Sequence, residues 1–420
     1  MAGFLGVILF ELADIFWIAR LGTDAVAGIA SAGFLIWAMY SIMSVTCYGC
    51  QTLIAQKRGA KQKHLAYEVI RQSIVLSLGI SMGCVFILFW TAEPLFQWMG
   101  LHPKTFEAAM SYYLVFVIAF PLFYLDSLLA YVFYGFEDTK TSTIILVCVL
   151  CLNIILDPFF IFGWGPFPAW GPFGAAFSSF LCRLIGTVIR LYILKRKGYI
   201  DTFRLKKYFG TSYYKKILSI GIPTASVHLI WTLVYPLLTS LITKFGMAPL
   251  AGMTIGHRIE SFAYFTAAGF SAAIQTLVGH EVGKTNITRA KVLAYQGRRL
   301  ITYILIPASL LFIFLPEFLI SLISNDPEVI TEGAKYLRTI GYLEILLGWE
   351  MVFEGGFNGL GNTRPYMYIS VPLTLGRYPA AYILVEYFGM GIEAIWWAIS
   401  ISTALKGLLM NLWFRYTKVK

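Results

Sequence analysis

Long uninterrupted apolar blocks constrain this chain more than any other feature. Ile74 to Trp90 contains no charged residue, and comparable blocks recur along all 420 residues. Each approaches the roughly 20 residues that an α-helix needs to cross the hydrocarbon core of a bilayer. A membrane barrel would show alternating segments of about 10 residues, and no such segments are present. Only 13% of the residues are charged against 58% hydrophobic, too little charge to cover a soluble protein of this size. The expected fold is therefore all-α and membrane-integral, with about twelve spans. Apolar patterning places them at 1–20, 27–54, 70–92, 108–134, 142–163, 173–194, 217–243, 249–279, 298–316, 334–358, 366–387 and 392–414.

The net charge of +11 orients the protein and does not mark a nucleic-acid surface. Basic residues cluster between alternate blocks: Lys57, Arg58, Lys61 and Lys63, then Lys195 to Lys216, then Lys284 to Arg299, then Arg364, and finally Arg415 to Lys420. The intervening connections are neutral or acidic, as around Glu317, Asp326 and Glu328. This is the positive-inside pattern, which puts the basic loops and both termini in the cytoplasm. A multi-pass protein of the cell membrane is expected, acting as a monomer. The first block lacks the basic lead of a cleavable signal peptide and runs into Asp14. All six cysteines lie in the first half, and Cys47-x-x-Cys50 has no second pair, so it reads as inert thiols inside a helix.

The two halves repeat each other. A shift of 224 positions carries Gly22 onto Gly246, Gln51-Thr-Leu onto Gln275-Thr-Leu, Glu93 onto Glu317, Pro103 onto Pro327 and Asp126 onto Glu350. One register held without a gap over more than a hundred residues marks an internal duplication. The expected domains are an N-lobe of six spans (1–195), a cytoplasmic linker (196–216) and a C-lobe of six spans (217–420). Six spans return the chain to the same face, so the lobes should be related by a pseudo-two-fold axis along the membrane normal, as in transporters. The second half opens with Ser219-Ile-Gly-Ile-Pro223, whose counterparts would precede Met1. Either a shorter first helix or a truncated N-terminus is expected.

A carboxylate inside a span costs about 2.5–3.5 kcal/mol on insertion scales, so each needs a reason. Asp14 lies in the first span, one turn after Glu11. Asn153 and Asp157 share a face of the fifth span at i, i+4 spacing, and Pro158 withholds a helical bond from the carbonyl of Ile154. Two aspartates, an amide oxygen and a nearby hydroxyl would suit a hard cation, and two close carboxylates would suit a proton. Asp126 and Glu350, with Glu354 one turn on, are candidates for attracting cationic cargo in a central cavity; helix packing is the competing reading. His228 has no second ligand at metal spacing and reads as a packed polar residue, and Arg258 and Glu260 read as partners for other helices. No Walker A sequence, HExxH or GxSxG is present, which argues against ATP-driven pumping and the common hydrolases.

The chain resembles the multidrug and toxic compound extrusion (MATE) family nearly end to end. The resemblance rests on Asp14-Ile-Phe-Trp-Ile-Ala-Arg20-Leu-Gly22, Gln51-Thr-Leu-Ile-Ala-Gln-Lys-Arg-Gly59, Asn153-Ile-Ile-Leu-Asp157-Pro, Gly174-Ala-Ala-Phe-Ser-Ser179, Gly359-Leu-Gly-Asn-Thr-Arg-Pro365, Arg377-Tyr-Pro379 and Trp396-Trp-Ala-Ile-Ser. It implies an antiporter, not an enzyme, that exports organic cations and other amphipathic compounds while a sodium ion or proton moves inward. It implies no cofactor and no metal beyond sodium as coupling ion. The family's N-lobe cation site falls on Asp14, Asn153, Asp157 and Ser179. Some members use acidic residues of the seventh and tenth spans, but here the seventh has none and the tenth carries Glu350 and Glu354 at shifted positions, which favours N-lobe coupling. A lipid-linked oligosaccharide flippase of the same superfamily would be expected to carry a strongly basic cavity, whereas the intramembrane charges here read as largely acidic. A membrane enzyme acting on isoprenoid or lipid substrates would need paired acidic metal motifs, which are missing.

Overall fold

The computed structural model describes residues 16–200 and 212–417, and every described element is helical. The helices are α1 (Thr23–Gly59), α2 (Lys63–Trp98), α3 (Pro103–Gly135), α4 (Thr139–Phe162), α5 (Gly171–Arg196), α6 (Tyr214–Ile242), α7 (Met247–Gly283), α8 (Ile287–Phe314), α9 (Pro316–Ser321), α10 (Pro327–Gly341), α11 (Glu344–Leu360), α12 (Arg364–Leu375), α13 (Arg377–Glu386) and α14 (Glu393–Tyr416). Among the described residues, nine helices are long and apolar enough to cross a bilayer. Their outward faces suit lipid: α2 exposes Met82, Phe86 and Trp90 at four-residue spacing. The protein is a multi-pass membrane protein.

Local chemistry fixes the helix ends. Asp138 caps α4 by accepting from the Thr141 amide at 3.3 Å, and Asn286 caps α8 by accepting from the Arg289 amide at 3.0 Å. Proline begins α3, α9 and α10, where its missing N–H is harmless. At the far end of α4, Gly163 takes φ 73°, a left-handed conformation that glycine adopts without a Cβ penalty.

The duplication is written in the helix bounds. α1 and α7 begin 224 positions apart, at Thr23 and Met247, and end 224 apart, at Gly59 and Gly283. The same shift relates the starts of α2 and α8, the starts of α3 and α10, and the ends of α4 and α13. The second half is more broken than its apolar pattern suggests. The tenth span is α10 and α11, interrupted at Tyr342-Leu343, and the eleventh is α12 and α13, interrupted at Gly376. The ninth begins at Ile287 rather than 298, so Arg289, Lys291, Arg298 and Arg299 lie on helical turns and not in a loop.

Two compact units divide the chain: Met1–Ile54 with Gln62–Gly221, and Ala55–Lys61 with Ile222–Lys420. In the first, α3 packs against α2 and α5, and α4 against α5. α1 meets α3 where Gly28 faces the Thr105 and Ala109 backbone, and Tyr124 Oη donates to the Ile42 carbonyl at 3.1 Å. Gly174 brings α5 so close to the Phe160 carbonyl of α4 that a Cβ would collide with it. In the second unit, α11 packs against α7, α8 and α14, with Phe353, Phe357 and Trp396 fully buried.

Candidate ion and cargo sites

The close packing of α4 on α5 assembles a buried oxygen cluster. Asn153 Nδ2 donates to Asp157 Oδ1 at 2.9 Å and to Ser178 Oγ at 2.8 Å, while the Ser178 hydroxyl donates to Asp157 Oδ1. Ser179 Oγ lies 3.5 Å from Asn153 Oδ1. Asp157 and Ser178 are both 0% exposed, so the carboxylate is held in a low-dielectric interior by an amide and a hydroxyl. Asp157 and Asn153 thus stand together, and Ser179 reaches the cluster through Asn153. Ser178 was missed, yet it is the hydroxyl on the carboxylate. Asp14 and Glu11 lie outside the described residues.

The repeat supplies an internal comparison. The 224-position shift carries Asn153, Ser178 and Ser179 onto Arg377, Ser402 and Thr403. Arg377 Nε donates to Ser402 Oγ at 2.6 Å, and its Nη2 donates to Thr403 Oγ1 at 2.7 Å. Asp157 is carried onto Ala381. One half therefore holds a carboxylate bonded within this polar cluster, and the other holds a fixed cation bonded to the two hydroxyls.

Asp126 and Glu350 are not the open carboxylates expected of cargo residues. Asp126 is 1% exposed and sits between Arg190 and Arg183 of α5. Arg183 Nη1 lies 3.1 Å from Oδ2, Arg190 reaches Oδ1, and Thr187 Oγ1 donates to Oδ1 at 3.3 Å. Glu350 Oε1 accepts from Lys406 Nζ of α14 at 2.7 Å, and both side chains are buried. Glu354 is also buried and faces His228 Nε2 at 3.3 Å, which gives His228 the polar partner expected of it. Glu260 accepts from Tyr336 Oη at 2.8 Å and lies 3.0 Å from His257.

The impression of a largely acidic membrane interior is therefore corrected. Arg183, Arg190, Arg377 and Lys406 lie on membrane helices, each beside buried polar or acidic groups. Arg183, Thr187 and Arg190 recur at i, i+4 and i+7, so one basic stripe on α5 faces α3, and that spacing was legible. The contrast with a flippase cannot rest on an absence of intramembrane bases. Among the described residues, no three His, Cys, Asp or Glu side chains converge as metal ligands, and Cys47 and Cys50 are buried thiols.

A two-fold repeat of helical spans with polar clusters buried inside each half is the architecture of many membrane transporters. Comparison with known proteins makes the class specific. The family model MatE matches residues 1–159 and again 223–383, one match in each half of the duplication. The chain belongs to the MatE family, whose members are transporters and not enzymes. The "Probable multidrug resistance protein NorM" of Thermotoga maritima is 26% identical over 413 residues, covering 97% of this chain and 88% of that protein. A protein of Shewanella oneidensis named "FAD transporter" is 25% identical over 423 residues, covering 97% and 90%. A multidrug resistance MATE family transporter of the MOP superfamily, solved in an outward-facing conformation, matches with TM-score 0.92 at 23% identity, over 99% of this chain and 93% of that one.

Proposed function

We propose that this protein is an antiporter of the cell membrane that expels amphipathic compounds, organic cations among them, as a sodium ion or proton moves inward. One observation carries the reading: a fully buried carboxylate, Asp157, is bonded to Asn153 and Ser178 in the first half, while Arg377 stands at the equivalent of Asn153 in the second. A position that accommodates a guanidinium in one repeat is the right place for a mobile cation in the other. Asn153, Asp157, Ser178 and Ser179 form the coupling site, to which the family resemblance adds Asp14. Binding of the cation neutralises Asp157 and changes which packing of α4 on α5 is favoured, the differential interaction that alternating access needs. Each charge moving inward gains about 2.3 kcal/mol per 100 mV of membrane potential.

Names among the relatives support drug extrusion, and the FAD transporter extends the range of cargo beyond lipophilic cations. Of the three candidate cargo carboxylates, Asp126 and Glu350 pair with arginine or lysine, while Glu354, also buried, faces the partly exposed His228 and is the one left to propose for cationic cargo. The basic loops support cytoplasmic termini, and the protein acts as a monomer. Purified protein in proteoliposomes should expel ethidium under an imposed sodium or proton gradient and stop when that gradient is collapsed. Ethidium movement that ignores both gradients would overturn the antiport reading.

A further inference from the structure

Two guanidinium groups share one carboxylate inside the first unit. Arg190 and Arg183 both bond to Asp126, and no other described carboxylate pairs with either. Among the described residues one positive charge is left over, in an interior where an unbalanced charge is costly. The excess belongs to the more accessible member: Arg190 is 2% exposed and Arg183 is 28% exposed.

That accessibility does not open onto lipid. On α5 the exposed apolar stripe is Leu184, Val188, Leu191 and Tyr192, and Arg183 lies on the opposite side with Ser179 and Thr187. Its guanidinium lies 6.0 Å from the Phe123 ring centroid of α3, and Tyr40 of α1 interacts with it electrostatically. Arg183 is thus a partly exposed cation on the protein-packed side of α5. Tyr40 and Trp37, three residues apart on α1, are both exposed aromatic rings.

Resting on the antiport reading, we propose that Arg183 is a cargo-binding residue that takes an acidic group, a carboxylate or phosphate, on an aromatic amphipathic molecule. The guanidinium offers planar, charge-assisted donors to such a group while Tyr40 and Phe123 receive the aromatic body. Ser179 is one turn away on the same face of α5, so a helix shift on ion binding carries Arg183 with it. Removing Arg183 leaves Asp126 paired with Arg190, so the fold should survive the substitution that tests the site.

Two xanthene dyes of similar size and opposite charge, anionic fluorescein and cationic rhodamine 6G, provide the probes in proteoliposomes. The wild type should move fluorescein saturably under the coupling gradient. Arg183→Gln should raise its KM about tenfold to a hundredfold, the loss of one charge-assisted contact, with the rhodamine 6G KM changed less than about twofold and Arg183→Lys intermediate. The proposal is overturned if the wild type moves rhodamine 6G but not fluorescein, if Arg183→Gln leaves the fluorescein KM unchanged, or if it weakens both dyes alike. If neither dye moves under either gradient, the antiport reading fails and this inference with it.

Discussion

Replacing Glu350 by glutamine separates a structural carboxylate from a cargo-binding one. The side chain keeps its shape and loses its charge, while Lys406 stays 2.7 Å away with 5% of its side chain exposed. Removing one partner of a buried pair costs about 3–5 kcal/mol, because the other charge is left uncompensated. Two neighbours modify that figure: Arg377 adds to the stranded positive charge and Glu354 offsets part of it. A net loss of about 3 kcal/mol is expected, a large share of the roughly 5–15 kcal/mol that typically holds a protein folded. Lys406→Met alone should cost at least as much, since Glu350 Oε2 already has no hydrogen-bond partner and Oε1 would lose its own. The double variant Glu350→Gln/Lys406→Met should regain most of the loss. Unfolding midpoints of purified protein titrated with SDS, read for the four proteins as a cycle, measure this directly. A Glu350→Gln protein as stable as wild type, with a raised KM for ethidium alone, would refute the reasoning and return Glu350 to the cargo site.

Other outcomes follow from the same contacts. Ser178→Ala should weaken sodium affinity about fivefold to tenfold, the worth of one hydrogen-bonding ligand, and Ser179→Ala less than about twofold; equal effects in sodium-binding titrations would contradict the assigned geometry. Gly174→Val should push α5 off the Phe160 carbonyl and lower both stability and ion binding, so wild-type values for both would show that the close approach does not shape the site. Asp138 is disfavoured as a charge by partial burial, but bonds from Lys197 at 2.5 Å and from Thr141 outweigh this and hold its pKa below the usual value. That stabilisation is present above the ordinary carboxylate pKa of about 3.9 and is lost as pH falls through the lowered one. Asp138→Ala should therefore lower the thermal midpoint at pH 7, by about 1 kcal/mol in stability for the lost cap, with the difference shrinking toward pH 3; a difference that grows in acid would reverse the sign.

Helix number, membrane class and duplication were legible because each rests on periodicity and composition, which need no knowledge of how helices pack. The constant register reappears in helix bounds as far apart as Thr23 and Met247. What failed to show were side-chain directions. Adjacent residues on a helix point about 100° apart, so choosing Ser179 over Ser178 required knowing which face of α5 meets α4. Asp126 and Glu350 were recognised as equivalent, but their partners lie 57, 64 and 56 positions away, beyond any local pattern. The stripe of Arg183, Thr187 and Arg190 was a usable signal, though diluted by the apolar residues that separate its members along α5. The interruption at Tyr342-Leu343 directly follows Gly341, a lone glycine of a kind that helices tolerate and that does not by itself announce a break.

The central claim is that Asp157 carries the coupling cation, and binding of that cation to Asp157→Asn tests it most directly. A sodium ion about 4 Å from a carboxylate at an effective dielectric near 20 gains about 4 kcal/mol, so losing the charge should weaken binding by roughly a thousandfold. Calorimetric titration of the purified protein with sodium, and the uptake of protons on a pH jump, should each be compared between wild type and Asp157→Asn at matched stability. The account predicts that whichever cation the wild type binds is lost in the variant, together with gradient-driven efflux. A variant that binds sodium and takes up protons as the wild type does would place the coupling site elsewhere.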